Sequence, residues 1–168
     1  MNSPADSPSM AKIQVHNILC AGEQALITLR LDGHRAGFLP SILYAFREER
    51  IPLSFTLLSF DPKGDLILTL ILRSEDLGWA RAALREGLDL PSIGSMEIRD
   101  RAALITLYGP HLGEKPGVAA RMIFSLAKDG VEVLALSASI NSCLLLVPGE
   151  SSSRALQSLR RVFEIPPG

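Results

Sequence analysis

Several features that often indicate a partner or a cellular compartment are scarce in this sequence. Aromatic residues make up 5% of the 168 residues, there are two cysteines, and the formal net charge is -1. Two cysteines are too few for the disulfide framework of a small secreted domain. A net charge so close to zero gives no general attraction to nucleic acid or to an anionic membrane. We therefore expect neither of these partners.

Long apolar runs are also missing. The longest, residues 66–72, is interrupted by Thr69 and is far shorter than the roughly 20 residues that cross a bilayer. Residues 1–10 contain Ser, Pro and Asn instead of the apolar core of a signal peptide, and they predict a flexible tail. We therefore expect a cytoplasmic protein.

An internal repeat is the main feature that the sequence does contain. Residues 25–29, Ala-Leu-Ile-Thr-Leu, recur at residues 103–107. Each copy is followed by a Gly-containing loop and by an apolar helix that begins near Gly37 or Gly117. The repeat predicts two copies of one small domain, and an apolar content of 47% is typical of packed globular domains.

Both copies show the same order of predicted elements. The first copy reads as a strand, a helix, two strands, a helix and a strand, over residues 25–31, 37–50, 53–60, 66–72, 74–87 and 92–99. The second copy repeats the first five elements over residues 104–108, 118–129, 131–137, 143–147 and 152–163. The order β-α-β-β-α-β predicts an α+β fold of two ferredoxin-like units, each an antiparallel sheet with helices on one face.

The second copy lacks its closing strand, because the sequence has only a few residues after the last helix. A strand-like segment at residues 12–19 precedes the first copy and has no place in it, so we assign it to the second sheet. The predicted domains are listed as a tail of residues 1–10, a first domain of residues 22–99, and a second domain of residues 11–21 with 100–166. The uncovered apolar sheet faces predict self-association, most simply as a homodimer.

The loop between Tyr108 and Gly117 is the segment of the sequence best suited to bind a ligand. It follows a strand, contains Gly109, Gly113 and Gly117, and leads into a helix. Free backbone N–H groups at a helix start suit a small carboxylate, and Lys115 adds positive charge. The alternative is that the three glycines only satisfy the geometry of the turn.

The same segment and the residues that follow it resemble the sequence pattern of a known domain family. The helix start Pro-Gly-Val-Ala-Ala-Arg at residues 116–121, followed by Gly-Val-Glu-Val at 130–133 and Ser-Ala-Ser at 137–139, resembles the ACT domain of aspartokinases. The first copy fits the tandem regulatory region of the same enzymes, and the resemblance covers residues 12–165. In that family one domain is inserted into the other, whose outlying strand precedes both. The kinase part of the family, with its Lys-Phe-Gly-Gly motif, has no counterpart here.

The resemblance implies that each copy binds an amino acid, often lysine or threonine, at a dimer interface. The implied ligand-binding residues are His111, Pro116, Gly117, Val118, Ala119, Ser137 and Ser139 in the second copy, and Asp32, Gly37, Phe38, Leu39 and Ser54 in the first. The first copy departs from the family pattern, since the usual strand Asp is Ser54. That change removes an acceptor for a ligand ammonium group.

No chemistry of catalysis is visible in the sequence. His16, His34 and His111 have no metal-ligand spacing, and we expect no catalytic residue, no metal and no cofactor. Two functions compete. The first is a regulatory module that binds an amino-acid-like ligand and acts through dimerisation or a partner enzyme. The second is an interaction protein that kept the pairing surface and lost the ligand site.

Overall fold

A computed structural model describes residues 11–31, 38–87 and 93–166. The predicted tail and the predicted site residues Asp32 and Gly37 lie outside the described residues. The helices are α1 Phe38–Glu48, α2 Leu77–Gly87, α3 Val118–Lys128 and α4 Ser152–Val162. The strands are β1 Ile13–Gln14, β2 Asn17–Leu31, β3 Phe55–Phe60, β4 Leu66–Arg73, β5 Ile93–Tyr108, β6 Ala135–Ala138, β7 Ser142–Pro148 and β8 Phe163–Glu164.

The chain divides into two compact units. Residues 22–102 form one, which we call the central unit. The chain up to Ala21 and the chain from Ala103 onward form the other, which we call the split unit. Strands β2 and β5 each contribute residues to both units.

The central unit is a sheet of order β3-β4-β2-β5, to which α1 and α2 belong. Strand β4 lies antiparallel to both β2 and β3, and Thr69 pairs with Thr28 and with Leu57. Alternate residues of β2 and β4 point into one core, as the two-residue period of a strand requires. The buried core residues from these elements are Ala25, Ile27, Leu29, Leu31, Leu66, Leu68, Leu70 and Leu72 from the strands, and Ile42, Phe46, Leu77, Ala80 and Leu84 from the helices.

The split unit has the sheet order β2-β5-β7-β6 and a core of its own. The N-terminal segment is built into this core: Val15 is 1% exposed and belongs to the same apolar cluster as Leu107 and Phe163. The backbone N–H of Val15 donates to the Glu164 carbonyl at 2.9 Å, and that of His16 donates to the Tyr108 carbonyl at 2.6 Å. Strands β1 and β8 pair in parallel.

The predicted fold class is confirmed, and the four predicted helices match the observed ones closely. The predicted strands differ in three ways. The strand expected over residues 12–19 is divided, because β1 ends at Gln14 and pairs with β8 in a separate two-stranded sheet, whereas β2 begins at Asn17. Segments expected as separate strands are continuous, because β2 runs over Asn17–Leu31 and β5 over Ile93–Tyr108. Strand β6 begins at Ala135 instead of residue 131, because Val131 completes the turn that ends α3 and buries its side chain there.

Candidate functional site

The loop between β5 and α3 is held firmly against the turn that joins β6 to β7. The backbone N–H of Gly109 donates to the Asn141 carbonyl at 3.0 Å, and that of Gly113 donates to the Ile140 carbonyl at 2.9 Å. A Cβ atom added to Gly113 would lie 2.9 Å from both the Ser139 carbonyl oxygen and the Ile140 Cα. Glycine at residue 113 is therefore required by this close approach of two backbones.

The inner side of this loop is filled by an apolar side chain. Leu112 is completely buried and belongs to the same core cluster as Val118 and Met122. A Cβ atom at Gly109 would already lie 3.2 Å from a Leu112 methyl carbon. A ligand therefore has room only on the outer side of the loop.

The outer side of the loop is exposed and polar. His111 has a left-handed backbone with φ of 58°, and its Nδ1 lies 2.9 Å from Glu114 Oε1. Pro116 and Gly117 are exposed. Gly117 has φ of 83°, and a Cβ atom there would meet no heavy atom within 4 Å. Helix α3 begins directly afterwards, so its first N–H groups lie at this surface without partners from within the helix.

The other predicted residues of the second copy lie near this loop or under it. Val118 is buried and Ala119 is half-buried in the first turn of α3. Ser139 lies in the turn that contacts Gly113, and its Oγ lies 2.9 Å from the Ser142 Oγ. Ser137 pairs with Leu144 within the β6–β7 ladder and is half-buried. Ser139 therefore lies next to the loop, but its hydroxyl already has a hydrogen-bond partner, Ser142, within the turn.

Ser54 is separated from the other predicted residues of the first copy. Its hydroxyl donates to Gln24 Oε1 at 3.1 Å, at the end of the central sheet where Gln24 pairs with Arg73. Strand β2 runs from there to Leu31, at the opposite end of the sheet, and leads towards α1. Leu39, in the first turn of α1, packs against the core, and Phe38 begins that helix. Within one unit, Ser54 and the start of α1 therefore do not form one site.

Helices α1 and α3 each present an apolar face that their own unit does not cover. Tyr44 is 58% exposed on α1 beside Leu43, and Phe124 is 75% exposed on α3 beside Ile123. The two pairs occupy equivalent positions in the repeat, because Leu43 lies 80 residues before Ile123 and Tyr44 lies 80 residues before Phe124. A groove of about 400 Å³ on α1 is lined by Leu39, Pro40, Leu43, Tyr44 and Arg47. The sequence analysis did not identify these faces. Buried and exposed apolar residues follow one another along the same helix, so the sequence does not show which of them are exposed.

Three further features of the described part of the chain are its potential metal ligands, its cysteines and the lengths of its helices. None of its His, Cys, Asp and Glu residues form a group of three or more that could hold a metal ion. Both cysteines are free; burial raises the pKa of each thiol, Cys20 and Cys143. Among the described helices, none is long and apolar enough to cross a membrane.

The comparison with known families shows what part of the chain resembles a known domain. Residues 97–161 match the model of the ACT domain family. This segment is therefore similar to an ACT domain. The aspartokinase of Bacillus sp. (strain MGA3) is 25% identical over 127 residues, which cover 76% of this chain and 31% of that protein. The chain thus spans about a third of the length of this relative.

Solved structures extend the likeness to most of the chain. The ligand-free regulatory subunit of aspartate kinase from Thermus thermophilus superposes with a TM-score of 0.77 at 20% identity, covering 89% of this chain and 99% of that chain. E. coli aspartokinase III in complex with lysine and aspartate (T-state) gives a TM-score of 0.64 at 23% identity, covering 92% of this chain and 34% of that chain. The fold is therefore that of an aspartokinase regulatory region, and these 168 residues contain no kinase domain.

Proposed function

We propose that this ACT protein is a regulatory module that binds an amino-acid-like ligand on the outer side of the loop between β5 and α3, and that it acts through a second copy of the chain or a partner enzyme. The observation that carries the proposal is the exposed apolar face of α3 at Ile123 and Phe124, which lies about two helical turns beyond this loop. A second chain docked on Phe124 would also cover the loop. A ligand would then be enclosed on both sides.

The groups on the outer surface of the loop fit an amino acid. The first N–H groups of α3 and the exposed Lys115 favour a ligand carboxylate. Glu114 is 65% exposed and could accept hydrogen bonds from a ligand ammonium group if His111 released it. The E. coli relative in complex with lysine supports an amino acid as the class of ligand.

Thermal melting with each of the twenty amino acids at millimolar concentration tests the proposal. A ligand at about 100 times its dissociation constant should add about 2.7 kcal/mol of stability, which is several degrees in Tm for a chain of this size. A shift with one or two amino acids would identify the effector. No shift with any amino acid would overturn the proposed ligand class.

A pair of variants at Gly117 tests the location of the site. Gly117→Asp places a carboxylate where the carboxylate of the ligand should lie, so calorimetry should detect no binding. Gly117→Asn is the matched control, because it has nearly the same shape, tolerates the left-handed backbone about as well, and lacks the charge. Equal affinity of Gly117→Asp and Gly117→Asn would show that the ligand binds elsewhere.

An interaction module that has lost its ligand is the second candidate. Its support is that Leu112 fills the inner side of the loop and that the Ser139 hydroxyl is already engaged with Ser142. This candidate predicts a stable pair of chains and no melting shift with amino acids. The ligand-binding proposal predicts that the amino acid raises both Tm and the fraction of paired chains.

A further inference from the structure

Strand β2 leaves one edge of the split unit open, over residues 17–21. The strand begins at Asn17, but its neighbour β4 pairs with it only from Gln24 onward. The sheet order places β5 on the other side of β2, where His16, just before the strand, donates its backbone N–H to the Tyr108 carbonyl. Within the described part of the chain, no strand therefore covers the outer side of residues 17–21, which we call the open edge.

The open edge lacks the features that usually keep two sheets from pairing. Its sequence is Asn-Ile-Leu-Cys-Ala, which contains no charged residue and no proline. Leu19 is 49% exposed, and Cys20 and Ala21 are exposed as well. Edge strands are usually protected by lysine, by proline, by a bulge or by a covering element. An uncharged edge with an exposed leucine is therefore a pairing surface for another β-strand.

The equivalent edge of the other copy is protected by charge. Residues 95–101 stand before the second Ala-Leu-Ile-Thr-Leu segment as residues 17–23 stand before the first. Strand β7 is too short to cover them, because it has seven residues and the residue before it, Asn141, accepts from the Gly109 N–H just after the end of β5. The charged residues of this second edge are Glu97, Arg99, Asp100 and Arg101. The open edge thus differs from its equivalent in the property that governs edge pairing.

A second copy of the chain is the partner that the open edge fits. Two identical strands can pair antiparallel about a two-fold axis, which gives a closed contact made by the same surface on both chains. With Leu19 on the axis, the two Leu19 side chains meet, and Asn17 lies opposite Ala21 of the other copy. No like charges meet in this pairing, and the unpaired backbone groups of both edges become hydrogen-bonded. A charged partner would find no complementary charge on residues 17–21.

We propose that the open edge pairs with the open edge of a second copy, antiparallel and centred on Leu19, so that the sheets of two split units become continuous. The inference goes beyond the regulatory function proposed above, because it concerns neither the loop between β5 and α3 nor the exposed faces of α1 and α3. A chain that makes both kinds of contact can form an assembly larger than a pair.

Chemical cross-linking of the purified full-length chain tests the contact, with Cys20 as the reporter. Cys20 is exposed and Cys143 is buried, so a short bismaleimide should react with Cys20. Across the proposed pairing the two Cys20 residues are diagonal neighbours, roughly 7–8 Å apart, and should be joined into covalent pairs on a denaturing gel. The double variant Cys20→Ser/Ser95→Cys moves the thiol to the charged edge and should give no pairs. No pairs in the wild type, or equal yields from both proteins, would overturn the proposal.

A charge placed on the open edge tests the pairing itself. Leu19→Lys brings two ammonium groups together at the axis, so it should abolish the covalent pairs and lower the sedimentation coefficient. Its Tm should stay near that of the wild type, because Leu19 is already half exposed. Met96→Lys is the matched control, since Met96 is 40% exposed on the charged edge, and it should change neither readout. Unchanged cross-linking of a folded Leu19→Lys variant would contradict the assignment.

The Phe124→Glu variant separates this contact from a contact through the helices. It disrupts the apolar face of α3 and should still form covalent pairs through Cys20. Loss of the pairs in Phe124→Glu would mean that a helix contact had brought the thiols together, and the open edge would then not be the docking surface. A sedimentation coefficient that Leu19→Lys leaves unchanged would likewise show that a second copy does not cover the edge.

Discussion

At the scale of single residues, the repeat allows one position to be compared with its equivalent eighty residues later. Helices α1 and α3 are both followed, two residues after their ends, by a residue with a left-handed backbone, Arg50 with φ of 54° and Gly130 with φ of 66°. In both, the next residue returns a hydrogen bond across the last turn, from Ile51 N–H to the Phe46 carbonyl and from Val131 N–H to the Leu126 carbonyl. This is the Schellman arrangement, in which glycine avoids the steric strain that a Cβ atom brings.

Exchanging the two residue types should therefore change stability in opposite directions. Arg50→Gly should raise the free energy of unfolding by about 0.5–1 kcal/mol, and Gly130→Arg should lower it by about 1–2 kcal/mol, since a left-handed backbone strains every residue with a Cβ atom. Urea denaturation measures both values. A loss of stability in Arg50→Gly would mean that the Arg50 side chain contributes more than its backbone costs.

At the scale of elements, the most prominent feature is the exposed apolar face that α1 and α3 each present. Large exposed apolar patches on a folded protein usually mark an interaction surface. Their equivalence in the two copies indicates one type of contact made twice, which a second copy of the chain would satisfy.

Under the proposed pairing of two chains, charged substitutions on these faces should separate them. Phe124→Glu and Tyr44→Glu should each shift the sedimentation coefficient toward that of the monomer, because a carboxylate would have to be buried in the contact. Trp79→Glu is the control: Trp79 is 64% exposed on α2, so the substitution removes a comparable aromatic group away from these faces. An unchanged dimer in both variants, or dissociation of the Trp79→Glu control, would contradict the assignment.

The elements also show what a sequence can predict and what it cannot. The four helices are predictable because residues such as Ile42, Phe46, Met122 and Leu126 recur with helical spacing and are buried. The position of Ser54 is not predictable, because it depends on the register of β3 against β4, and register is set by pairing across the sheet. Nor could composition show that Leu112 fills the loop from inside while the equally apolar Phe124 faces outward.

At the scale of the whole molecule, the N-terminal segment is part of a core assembled from distant residues. Val15 lies in the cluster of the split unit, and the carbonyl of Ala11 accepts from Arg121 Nη2 at 3.1 Å. Deleting residues 1–20 should lower stability by at least about 2 kcal/mol, the value of one buried valine side chain. Deleting residues 1–10 leaves these contacts in place and should not. Thermal melting of both truncations checks this, and equal Tm values would contradict it.

The interruption of the split unit by the central unit also determines the order in which the chain can be completed during synthesis. Residues 11–21 leave the ribosome before the central unit, yet their partners from Ala103 onward leave it after the whole of residues 22–102. Domains tend to fold as units as they emerge, so the central unit can finish while the first segment still has an unpaired strand edge. A nascent chain whose residues up to 102 have just left the ribosome would therefore carry one folded unit and one exposed β-strand, which makes this stage of translation the one most exposed to misassembly.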